Sequence, residues 1–178
     1  MNKIEIPLSK TKILLAVAGS MLFVVLGIYF ITTMADQQTL LNPTLVKGIG
    51  FASIFFFGTT GVYGIKKMFD TQVGLTIDDH GIVDNTNATS IGLIEWDQIT
   101  EIRTEKVMST KFLLIFTKDP NRILEKVSGV RRKLMFANMK MYGTPLSITS
   151  TTLKYDFNEL EKLLKIRLKE QREKMQNP

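Results

Sequence analysis

The sequence has no cysteine and a single histidine, His80, in 178 residues. A metal centre needs several ligands, and these absences leave it without thiolates and with one imidazole. The lack of cysteine agrees with a reducing compartment. Serine-histidine catalysis would have to use His80, and the sequence around it carries no nucleophile elbow. Gly-rich phosphate loops and dinucleotide fingerprints are also missing. No internal repeat or low-complexity stretch is visible.

Charge is missing from two long runs. Ile13 to Ala35 spans 23 residues without an ionisable group, and Gly48 to Ile65 spans 18 between Lys47 and Lys66. As helices these runs would be about 34 and 27 Å long, against a hydrocarbon core of about 30 Å. Each is predicted to cross a bilayer. A cleaved signal peptide is the alternative for the first, but a signal core is usually only about 7 to 15 apolar residues. Lys3, Lys10 and Lys12 precede the first run and Lys66 and Lys67 follow the second, so the positive-inside tendency puts both termini in the cytoplasm of a cell membrane. The expected divisions are a basic arm (1–12), a first span (13–35), an external loop (36–47), a second span (48–65) and a cytoplasmic domain (69–178). Ala16 with Ser20, Gly48 with Ala52, and Thr60 with Gly64 are small residues one turn apart, suited to packing within the hairpin or between copies in a homo-oligomer. With no ionisable residue inside either span, an ion pathway has no machinery.

After the second span the apolar period changes from helical to alternating. "VGLTID" (73–78), "IVD" (82–84), "IGLIEW" (91–96), "ITEIRTEKV" (99–107) and "KFLLIFTK" (111–118) predict an antiparallel meander, with "DDHG" (78–81) as a hairpin turn. Asp119 and Pro120 make a helix start. Ile123, Val127, Val130, Leu134, Ala137 and Met141 follow at helical spacing, and Ser128-Gly129 splits or kinks the stretch. "TPLSITS" (144–150) returns to strand. Asp156 and Glu159 open a last helix striped by Phe157, Leu160, Leu164 and Leu168, with a polar tail beyond Lys169 expected to project. The fold class is α+β. Ile94 and Trp96 share a strand face to which Ile99 returns after the turn, so Trp96 is expected as core, bringing about 200 Å² of apolar surface, rather than as a ligand platform.

"IEWDQI" resembles a signature of bacterial pleckstrin-homology-like domains: a strand ending in Ile-Pro-Trp, a two-residue turn, and Ile opening the next strand. Ile94, Trp96, Asp97 and Ile99 stand in the matching places, with Glu95 where that family often has proline. "LTIDDHGIVD" is similar to the first hairpin of those domains. With two spans in front and "YGTPLSITSTTL" before the last helix, nearly the whole chain resembles a family of bacterial two-span membrane proteins with a C-terminal pleckstrin-homology-like domain. The resemblance implies an antiparallel sheet or barrel with an inserted helix and a C-terminal helix.

Charge is unevenly placed along the domain. Residues 70–119 hold nine acids against four bases, while residues 120–140 hold six bases (Arg122, Lys126, Arg131, Arg132, Lys133, Lys140) against Glu125 alone. Lys66, Lys67, Arg131, Arg132, Lys133 and Lys140 are the candidate contacts to anionic lipid headgroups or a protein partner; the bland reading is a solvated helix face. Nucleic acid is excluded as a partner by the tether and the acidic strands. Asp78, Asp79, His80 and Asp84 cluster but lack calcium-loop spacing and read as turn chemistry. Asn87-Ala88-Thr89 is a glycosylation acceptor only for an exported domain. No catalytic residue, cofactor or metal is expected. Two functions follow: a membrane-anchored, non-catalytic binding or scaffold module, or a membrane enzyme or transport accessory with polar groups converging from Glu95, Arg103, Lys111 and Tyr142.

Overall fold

The computed structural model describes residues 3–37, 40–108 and 110–176. Met1 and Asn2 of the expected arm, Gln38 and Thr39 of the expected loop, Ser109, and Asn177 and Pro178 of the expected domain lie outside the described residues. The chain divides into two compact units, one from residues 10–71 and one from residues up to 9 together with 72 onward.

The first unit is a helical hairpin. Helix α1 (Lys10–Tyr29) continues through a π-helical turn (Phe30–Met34) into the short α2 (Ala35–Gln37), and α3 (Pro43–Met68) returns. Helix α3 begins five residues before the expected span. Asn42 caps it, its Oδ1 accepting from the Thr44 amide at 2.8 Å, and Pro43 fills the first position, where a missing N–H costs nothing. Both helical segments are long and apolar enough to cross a membrane, and only 17 % of each apolar window is buried. A core helix of a soluble protein would be covered nearly all round.

The two helices meet at glycines. A Cβ on Gly27 would lie 2.9 Å from the Gly50 carbonyl oxygen, and a Cβ on Gly50 would lie 2.7 Å from that of Gly27. The close approach brings the Ser53 hydroxyl to the Phe23 carbonyl at 2.9 Å and stacks Phe23 on Phe57 at 4.3 Å between centroids. Of the small residues expected at the interface, Ser20 and Gly64 lie at the crossing, whereas Gly48 looks onto open space. Phe55 and Phe56 point outward.

The second unit is mixed helix and sheet. A four-stranded antiparallel sheet runs β1 (Ile4–Ile6), β2 (Leu75–Ile77), β3 (Gly81–Asp84) and β4 (Gly92–Glu95), and a three-stranded one runs β5 (Ile99–Val107), β6 (Thr110–Thr117) and β7 (Leu146–Ile148). The expected arm is therefore divided: Ile4 pairs with Ile77 and Ile6 with Leu75, while Lys10 and Lys12 belong to α1. Backbone bonds from Ser9 to Thr152 and from Lys154 to Pro7, at 2.8 and 2.9 Å, secure the segment further. A bulge between Ile99 and Glu101 shifts the β5 register, so Ile99 and Ile102, three residues apart, are both buried.

Between β6 and β7 lie α4 (Pro120–Glu125) and α5 (Gly129–Tyr142), and α6 (Phe157–Gln176) closes the chain. Asp156 caps α6, its Oδ1 accepting from the Asn158 and Glu159 amides at 2.7 and 3.2 Å. Leu160, Leu164 and Leu168 are buried. The polar tail does not simply project: α6 continues to Gln176, Gln171 is buried, and the Arg172 guanidinium donates to the Thr100 carbonyl. A long polar side chain covers apolar surface with its stem, which hydropathy alone does not register.

Candidate functional site

Trp96 is 3 % exposed, and its indole N–H donates to the Asp78 carbonyl at 2.8 Å. It opens a 3-10 turn (Trp96–Gln98), with Ile94 and Ile99 buried beside it in sequence. A buried face and an occupied N–H leave no stacking platform. The Asp78 carboxylate accepts from the His80 and Gly81 amides at 2.9 and 3.2 Å, which builds the hairpin turn. Among the described residues no three His, Asp or Glu side chains are grouped as metal ligands.

The four residues of the enzymatic alternative have separate engagements. Arg103 pairs with Glu101 at 3.0 Å and lies 4.6 Å over the Phe116 ring. The Glu101 hydrogen bond, with its charge, pushes the Arg103 guanidinium up from its ordinary pKa, so it remains a cation. Lys111 donates to Asn158 at 3.0 Å and sits 5.4 Å from the Phe157 ring. Glu95 lines a cleft of about 90 Å³ whose charges balance, with Asp119 beside it against Arg122 and Lys126. Tyr142 is half-buried at the end of α5. Neither Arg103, Lys111 nor Tyr142 lines that cleft.

The basic stretch is built by local signals. Asp119 caps α4 by accepting from the Arg122 amide at 3.1 Å. The backbone then breaks at Gly129, whose φ of +60° is strained for residues with a side chain. Helix α5 ends at Gly143, φ +80°, whose N–H donates to Met139 at 3.0 Å. The Thr144 hydroxyl next donates to the Ile115 carbonyl at 2.5 Å, leading the chain into β7.

The break resets the helical phase. Met135 is fully buried, with Asn138, Met139 and Tyr142 half-buried, so these residues form the inward face of α5. The expected apolar stripe of Val130, Leu134, Ala137 and Met141 instead faces out, at 73, 45 and 69 % exposure for Val130, Leu134 and Met141. Arg131, Arg132, Lys133 and Lys140 are exposed as well, and α5 contains no acid. Lys140 lies 4.9 Å over the Phe136 ring.

The remaining candidates differ from each other. Lys66 is exposed, whereas Lys67 is 7 % exposed and pairs with Asp70 at 2.7 Å. Lys10 donates to the carbonyls of Lys67 and Asp70, so Lys67 helps to clamp the ends of the hairpin and is not free for headgroups. Sequence reading missed this clamp because its partners lie 57 and 60 residues apart. No known protein family, curated protein or solved structure matches the chain.

Proposed function

We propose that the chain is a membrane-anchored, non-catalytic binding module: a pleckstrin-homology-like domain, interrupted by its own transmembrane hairpin, held at the cytoplasmic face of a bacterial cell membrane. The observation that carries this is the pairing of β1, before the hairpin, with β2, after it. If both helices span lipid, strands hydrogen-bonded across the insertion require both ends of the hairpin at one membrane face. The lysines flanking the hairpin favour the cytoplasmic face. Four strands, then three, then a closing helix accord with the resemblance carried by "IEWDQI" and "LTIDDHGIVD".

The binding surface is formed by the exposed cations of α5, Arg131, Arg132, Lys133 and Lys140. Its ligand is an anionic headgroup or an acidic protein surface. Anchoring keeps the domain at high effective concentration beside other membrane components, so weak contacts suffice. The separate engagements of Arg103 and Lys111 speak against an enzyme built on them.

The test uses single-cysteine variants of the full chain, Lys3→Cys and Lys174→Cys, with a membrane-impermeant maleimide. Both are expected to label in inverted membrane vesicles and not in intact cells. Labelling of either from outside would overturn the reading. A photo-crosslinker at Arg132 in native membranes is expected to capture lipid or an acidic partner, and failure to capture either would remove the binding role.

A further inference from the structure

We infer that α5 is an interfacial helix that seats its outward apolar stripe in an anionic bilayer leaflet, so that the domain is held to lipid at a second place besides the hairpin. This rests on the membrane-anchored reading above and names the ligand of that same surface.

Helix α5 has two apolar faces. Met135 and Met139 fix the inner one, and Val130, Leu134, Ala137 and Met141, spaced four, three and four residues apart, form the outer one. The two faces lie roughly 150° apart around the helix. An exposed stripe of this kind on a basic helix is what an interfacial helix presents to the boundary between headgroups and acyl chains. Lys133 and Lys140 flank the stripe on one side and Arg131 on the other, where snorkelling cations reach phosphates while the apolar side chains enter the leaflet.

The charge decides the occupant. Helix α5 has four cations and no acid, so an anionic surface is complementary to it. An acidic protein would meet the same charges, but a chain with two helices long and apolar enough to cross a membrane has, on the anchored reading, a bilayer always within reach. The helix is also fixed in place by its buried Met135 and its glycine-capped end, so the stripe is displayed before lipid is met and little ordering is left to oppose insertion.

The native chain has no cysteine, so single-site spin labels read single positions. Full-length protein with Met141→Cys would be reconstituted in vesicles of phosphatidylcholine alone and of phosphatidylcholine with 30 % phosphatidylglycerol (about 30 %, a strongly anionic surface). Accessibility to oxygen and to a water-soluble nickel chelate gives the depth of the label. In anionic vesicles Met141→Cys is expected to lose nickel accessibility and gain oxygen accessibility, while a Glu173→Cys label on α6 stays in water. Arg131→Ala, Arg132→Ala and Lys133→Ala together keep the helix and are expected to weaken insertion about a hundredfold, returning the label to water. Equal nickel accessibility in both vesicle types, or insensitivity to the triple substitution, would overturn the inference. A Phe55→Cys label separates the failures. If it reads lipid while Met141→Cys reads water throughout, α5 is not interfacial but the hairpin still spans; if Phe55→Cys reads water, the anchored reading itself fails.

Discussion

The indole nitrogen of Trp96 stands 2.8 Å from the carbonyl oxygen of Asp78, tying the start of a 3-10 turn to the end of the β2–β3 hairpin. Trp96→Phe keeps a ring but leaves that carbonyl without the indole N–H, at an expected cost of about 1–3 kcal/mol. Trp96→Ala adds a cavity, at about 3–5 kcal/mol. Thermal unfolding followed by circular dichroism of the full chain in detergent checks both; equal midpoints for the two variants would mean that the hydrogen bond carries the whole effect.

Gly81 and Gly92 lie on neighbouring strands and should respond differently to alanine. A Cβ on Gly81 would be 2.2 Å from the Ile94 carbonyl oxygen, whereas Gly92 has open space and only an unfavourable φ of +81°. Gly81→Ala is expected to destabilise by at least the upper end of the ~1–3 kcal/mol typical of overpacking, and Gly92→Ala by about 1 kcal/mol. Trp96 is the sole tryptophan and is buried, so its fluorescence during unfolding reads this domain within the intact protein.

In the hairpin, Gly50→Val should force α1 and α3 apart and Gly48→Val should not. The first would drive a side chain into the Gly27 carbonyl and Ile31; the second points into open space. Protease resistance of the hairpin in detergent would show the difference. Equal resistance of the two variants would contradict the glycine crossing.

Acid should loosen the start of α6. Hydrogen bonds from the Glu159 and Asn158 amides hold the Asp156 carboxyl below its ordinary pKa. A carboxylate with a depressed folded pKa contributes stability that is complete above its unfolded value, near 4, and is lost as the pH falls through the folded one. Amide exchange at Asn158 and Glu159 should therefore quicken as the pH drops below about 4, after correction for intrinsic rates, and Asp156→Ala should remove the transition.

Legibility in the sequence followed the range of the interactions. Strand β5 coincides with the predicted 99–107, and Trp96 lies in the core, because alternation and turn residues are local signals. Strand β1 was missed because three residues of "IEI" find their partners more than 65 residues later, across a hairpin whose hydropathy dominates that end of the chain. Helical spacing marks Val130, Leu134, Ala137 and Met141 as one stripe but does not say which way it faces; the side is set after Gly129, at positive φ, and the stripe is exposed. The candidate site was accordingly legible as a list of cations and not as a surface. Periodicity identifies an apolar face without saying whether protein or lipid covers it.

The pairing of β1 with β2 across the hairpin is tested most directly by Glu5→Cys with Thr76→Cys, residues that lie opposite each other in the register. Mild oxidation of the full-length double variant in native membranes should join them within one chain, closing a loop that contains both spans and shifts its mobility on a non-reducing gel. Failure to join, with the two cysteines labelled from opposite sides of the membrane, would contradict it.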